Sequence, residues 1–126
     1  MHALIIEDDS LIAALIESVL TDCGFDSFEV SSSAAEAITA AARRCPDLIT
    51  ADVTLASGNG IEAIRLICPD ASIPVIFITG GDVTNIRALM PSYAVLRKPF
   101  SEQTLTYAVE ASVVATRWAP GRSLAS

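Results

Sequence analysis

The chain has 126 residues, a formal net charge of −7, and 52% hydrophobic against 18% charged residues. That composition describes one packed domain and excludes both a disordered chain and a second domain of ordinary size. The acidic balance argues against a nucleic-acid partner, because neutralising phosphates takes clustered Lys and Arg, and every apolar run is too short to span a membrane.

Short apolar runs alternate with helix-like segments, the rhythm of βα units around a parallel sheet. The first strand is read at Ala3 to Ile6, with His2 before it as plain surface. Glu7, Asp8 and Asp9 interrupt the run at once, so no signal peptide is expected and the reading places the chain in the cytoplasm. Leu11, Ile12, Leu15, Ile16, Val19 and Leu20 share one face of a first helix, and Gly24 suits a left-handed position at its end. Asp26 to Val30 alternates polar and apolar and reads as an edge strand.

Ser33 with Glu36 forms a capping box for the second helix, and Asn59 with Glu62 imitates one for the third. Between them Leu48 to Ala51 is continuously apolar, as are Val75 to Ile78 and Tyr93 to Leu96. With the first strand, these read as central strands or near them, covered on both faces. Asp82 and Ser101 are the expected caps of the fourth and fifth helices. Cys23, Cys45 and Cys68 lack metal-ligand spacing and read as free, buried thiols. Residues 1–118 form the domain and 119–126, with Pro120 and Gly121, a frayed tail.

In an open parallel sheet, function gathers beyond the carboxyl ends of the strands, near the point where strand order reverses. Strand one ends on Glu7, Asp8 and Asp9, and strand three on Asp52. Three acids after a strand can merely open a helix, where they meet its dipole favourably. If Asp52 lies beside them, each carboxylate pair at ~4 Å repels by roughly 1 to 4 kcal/mol. A hard divalent cation relieves this, and Mg²⁺ takes oxygen ligands while leaving positions for a phosphoryl group. Thr79 ends strand four and Lys98 follows strand five. A hydroxyl and a fixed ammonium are what transferring phosphoryl oxygens need.

These motifs in this order, "LIIEDD", "PDLITADVTL", "VIFITG" and "LRKPF", resemble the receiver domain of two-component response regulators over residues 3 to about 117. The resemblance implies an α/β fold: a five-stranded parallel sheet of order 2-1-3-4-5, flavodoxin-like and doubly wound, flanked by five helices. It implies that Asp52 takes a phosphoryl group from a sensor histidine kinase or a histidine phosphotransfer protein. Glu7, Asp8, Asp52 and the backbone carbonyl of Thr54 would hold Mg²⁺. Thr79 would bond a phosphoryl oxygen, Lys98 would pair with the carboxylate or phosphoryl, and the bond between Lys98 and Pro99 would be cis. The module would be a signalling domain that assists its own phosphorylation and dephosphorylation, not an enzyme for a separate substrate.

Three positions depart from the family. Val95 stands where an aromatic is usual, with Tyr93 displaced along the same strand face. Ala56 stands where Pro is common, and Gly81 has no side chain to place or block a water, so Thr54 is expected to govern the lifetime of the phosphorylated state. The fifth helix carries a core face at Leu105, Ala108, Val109, Ser112 and Val113. A second apolar stripe, Tyr107, Ala111, Val114 and Trp118, faces the other way. Such a stripe marks an interface, and the family commonly pairs or docks effectors through the fourth helix, fifth strand and fifth helix. The alternatives are a receiver-like interaction module that is never phosphorylated, a haloacid-dehalogenase-like phosphohydrolase and a nucleotide-binding protein. The second needs an acid where Thr54 stands, and the third a Gly-rich loop after strand one, where acids would repel phosphate.

Overall fold

The computed structural model describes residues 1–55, 57–69, 72–91 and 93–117. Five βα units follow one another: β1 (His2–Ile6), α1 (Ser10–Asp22), β2 (Ser27–Ser31), α2 (Ala34–Arg43), β3 (Leu48–Asp52), α3 (Gly60–Ile67), β4 (Val75–Thr79), α4 (Val83–Leu89), β5 (Ala94–Arg97) and α5 (Glu102–Arg117). The sheet is parallel throughout, with order β2-β1-β3-β4-β5. The reversal of direction between β1 and β3 makes their carboxyl ends the switch point of the fold.

Continuously apolar strands are buried on both faces, and alternate residues feed two cores. Leu4, Ile6, Ile49, Ala51, Val75 and Phe77 pack with α2, α3 and α4, while Ala3, Ile5, Leu48, Ile76 and Ile78 pack with α1 and α5. α1 ends in a Schellman motif: Gly24 at φ +101 donates its N–H to Thr21 O at 3.0 Å, and Phe25 N–H donates to Leu20 O at 3.0 Å. The caps at Ser33, Asn59, Asp82 and Ser101 form as read, each side chain accepting a first-turn N–H. The Ser33 box is modified, for the Glu36 carboxylate accepts from Ser32 N–H at 3.1 Å, one residue before the cap. Among the described residues no helix is long and apolar enough to cross a membrane.

Several expectations are corrected. His2 is not surface: it opens β1, is 5% exposed, and its Nδ1 lies 2.8 Å from Ser27 Oγ on the neighbouring strand. Leu11 fits the helical period of the α1 core face yet is 81% exposed, because the first turn stands beyond the strand ends that would cover it. β5 is an edge strand: α4 and α5 cover its faces, but among the described residues no strand pairs with its outer side. Of the cysteines, all free, only Cys68 is buried; Cys23 is half-buried and Cys45 exposed. Ala56, Trp118 and the tail 119–126 lie outside the described residues.

Candidate functional site

Strand register brings the acids together. Ile6 pairs with Ala51 and Asp52 with Ile78, so Glu7, one residue past β1, lies beside Asp52 at the end of β3. Glu7 N–H still donates to Ser31 O at 2.9 Å, which keeps that residue in line with the sheet. Glu7 and Asp52 are buried, and Asp8 is exposed above them. One carboxylate oxygen from each of the three lies within 4.8 Å of the others. Asp9 does another job: its Oδ1 accepts from Leu11 N and Ile12 N at 2.9 and 3.2 Å and caps α1. The run of acids therefore splits into cluster and cap.

Lys98, following β5, reaches across β4 into the cluster. Its Nζ donates to Asp52 Oδ2 at 2.9 Å and forms an ion pair with Glu7 Oε1 at 3.1 Å. Thr54 N–H donates to the other Asp52 oxygen, Oδ1, at 3.0 Å. Thr79 is buried at the end of β4; its carbonyl accepts from Lys98 N–H at 2.7 Å and its Oγ1 from Gly81 N–H at 3.0 Å. The Lys98–Pro99 bond is cis. All six positions read from the sequence thus meet at one rim of the sheet, Thr54 through its backbone.

Charge is unevenly satisfied here. Burial raises the Glu7 carboxyl above the ordinary carboxylate range; the Asp9 N–H and Lys98 oppose this, and the nearby Asp52 adds to it. Burial would depress Lys98, but its bonds to Asp52 and Glu7 and their charges hold the ammonium above the usual lysine range. Three carboxylates cluster beside one ammonium, and the buried Glu7 Oε1 meets it as an ion pair at 3.1 Å. An all-oxygen donor set with surplus negative charge fits a hard cation such as Mg²⁺.

The sequence reading missed Gly60. Any Cβ there would collide with the carbonyl oxygen of Asp52, so α3 can start against the end of β3 only with glycine. The Asn-Gly pair at 59 and 60 signals a turn but not that contact. Val95 is buried in the core beneath α4, and Tyr93 meets Phe77 edge-on with ring centroids 5.7 Å apart. Neither is beside Thr79 in the strand register, where Arg97 stands.

The family model described as "Response regulator receiver domain" matches residues 3–110. The DNA-binding response regulator MtrA of Mycolicibacterium paratuberculosis is 31% identical over 111 residues, covering 86% of this chain and 49% of the relative. The chain thus spans about half the length of such curated relatives. Among solved structures, a response regulator receiver protein from Sinorhizobium medicae superposes with a TM-score of 0.83 at 26% identity, covering 92% of this chain and 96% of that one. The PhyR response regulator REC domain of Erythrobacter litoralis gives 0.79 at 29% identity, covering 97% and 94%.

Proposed function

The chain belongs to the response regulator receiver domain family, and from that premise we propose that Asp52 is its phosphoacceptor, charged from a phosphohistidine of a sensor histidine kinase or a histidine phosphotransfer protein. The observation that carries this reading is the Asp52 carboxylate, buried, held at one oxygen by Lys98 and at the other by the Thr54 N–H, with Glu7 and Asp8 alongside. In the transfer, an Asp52 oxygen attacks phosphorus as the P–N bond to the donor histidine breaks, and an acyl phosphate forms. Lys98 stabilises charge on the phosphoryl oxygens, and the Thr79 hydroxyl turns from Gly81 N–H to one of them.

Glu7, Asp8, Asp52 and the Thr54 carbonyl would hold Mg²⁺, which when bound offsets the charge of the carboxylates and the incoming phosphoryl group. The unphosphorylated alternative is not favoured, since acceptor, acids, hydroxyl and ammonium are all present. Val95 and the displaced Tyr93 imply that the response spreads from Thr79 without an aromatic moving beside it. We place the receiver unit at residues 1–118, in the cytoplasm. We assign its output contact, to a second copy or an effector, to the face of α4, β5 and α5, where Tyr107 is 75% and Val114 55% exposed.

The test is incubation with acetyl phosphate and Mg²⁺ followed by intact mass. A gain of one phosphoryl group in the native chain, absent in Asp52→Asn, supports the reading. Equal gain in both, or none in either, overturns it. The lifetime assignment has its own check: Thr54→Ala changes the dephosphorylation rate, and an unchanged rate refutes that role.

A further inference from the structure

We propose that Ala34, the first residue of α2, is a positioning residue for the loop that carries Thr54 over the acid cluster. This rests on the reading of that cluster as the metal and phosphoryl site. The described residues between β3 and α3, 53–55 and 57–59, are tied to the end of the acceptor strand. Gly60 N–H donates to Val53 O at 3.2 Å, and Thr54 and Asn59 form an antiparallel bridge. Through these two rungs the position of the Thr54 backbone, and of its N–H bond to Asp52 Oδ1, follows the shape of the loop.

The tip of the loop leans on α2. Gly58 sits at φ +93 with its open side toward the helix, and a Cβ there would lie 2.7 Å from the Ala34 Cβ. Ala34 N–H donates to Ser57 O at 3.3 Å. That N–H belongs to the first turn of α2, where helix donors have no intrahelical partner, and the loop carbonyl supplies one. The helix is firmly seated, with Ala37 and Ala40 buried in the core. Loop and helix therefore meet as two small residues and one hydrogen bond: the half-buried Ala34 Cβ fills the space a side chain at 58 would need, and the backbone at 58 is strained for any side chain.

On this proposal a larger residue at 34 pushes against Gly58, and the rungs at 59/54 and 60/53 pass that shift to Thr54. Groups hydrogen-bonded to metal ligands typically change metal affinity by about 10- to 100-fold when altered, and Ala34, acting through the loop, is expected at the low end of that range. The experiment compares Ala34→Leu and Ala35→Leu with the native chain. Readouts are calorimetric Mg²⁺ titration, the Thr54 amide NMR shift in metal-free protein, and the thermal midpoint without metal. Ala35, one residue on, is exposed and serves as the control.

The expected result is that Ala34→Leu moves the Thr54 amide and weakens Mg²⁺ about tenfold with the thermal midpoint nearly kept. Ala35→Leu should match the native chain in Mg²⁺ affinity. An Ala34→Leu protein with native Mg²⁺ affinity and an unmoved Thr54 amide overturns the proposal. If Ala34→Leu fails to fold, Ala34→Ser decides in the same way through the Thr54 amide. If the native chain binds no Mg²⁺, the functional reading falls, while the amide shift in metal-free protein still decides the role of Ala34.

Discussion

The two rims of the sheet are built from the same kinds of residue and treat charge differently. At the amino rim the polar groups close on one another. His2 N–H donates to Asp47 Oδ2 at 2.7 Å, Asp47 N–H returns a bond to His2 O at 2.7 Å, and Ser27 Oγ joins His2 Nδ1 and Arg44, both at 2.8 Å. At the carboxyl rim three carboxylates cluster, the two buried ones share Lys98, and Glu7 is held protonated to higher pH than an ordinary carboxyl. Folding alone asks for the first arrangement, since buried charge without full pairing is costly. The surplus at the second rim is where the proposed Mg²⁺ would complete the electrostatics.

Substitutions should separate the rims sharply. The largest effect is expected from Asp52→Asn, which abolishes phosphoryl uptake from acetyl phosphate by intact mass. Lys98→Met comes next: uptake slows by about 100-fold, the scale of losing one donor to developing charge, measured as the initial rate at saturating Mg²⁺. Asp8→Asn weakens Mg²⁺ binding by about tenfold or more by calorimetry, a unit charge at ~4 Å being worth about 1 to 4 kcal/mol. On the other rim His2→Ala costs about 1 kcal/mol of stability in urea unfolding, the value of one buried hydrogen bond, and leaves uptake unchanged. A His2 variant with impaired uptake would erase the contrast.

The smallest effect is in pH. The Lys98 ammonium is held above its ordinary range by Asp52 and Glu7, so the native state keeps its proton longer than the unfolded chain. The stabilisation is complete below the unfolded value and disappears as pH rises through the folded one. In metal-free protein the urea midpoint should fall on the alkaline side of ordinary lysine titration, and Lys98→Met should flatten that fall.

What the sequence made legible depends on how local each cause is. Strands covered on both faces announce themselves as apolar runs, and the wetter β2 shows its edge through alternation. β5 is equally an edge, but its open side is backbone, which leaves no mark on side-chain pattern. His2 is buried by residues 25 and 45 positions away, Ser27 and Asp47, and nothing next to it in sequence says so. Leu11 has the right helical phase and the wrong height, one turn beyond the strands. For the site, Glu7, Asp8, Asp52, Thr79 and Lys98 were readable because each follows or ends a strand, and strand ends converge. The division of labour between Asp8 and Asp9 was not, since only the start of α1 decides which acid caps. Gly60 and Ala34 matter through loop closure, a property of three-dimensional approach that residue type alone does not carry.

The central claim is that the carboxyl-rim cluster works as one phosphoryl-accepting site with Asp52 as its nucleophile. Its most direct test is fragment mass mapping of the native chain after acetyl phosphate and Mg²⁺. A single phosphoryl group is expected on the peptide containing Asp52, lost when Mg²⁺ is withheld. A phosphoryl group found on another peptide, or uptake indifferent to Mg²⁺, would contradict it.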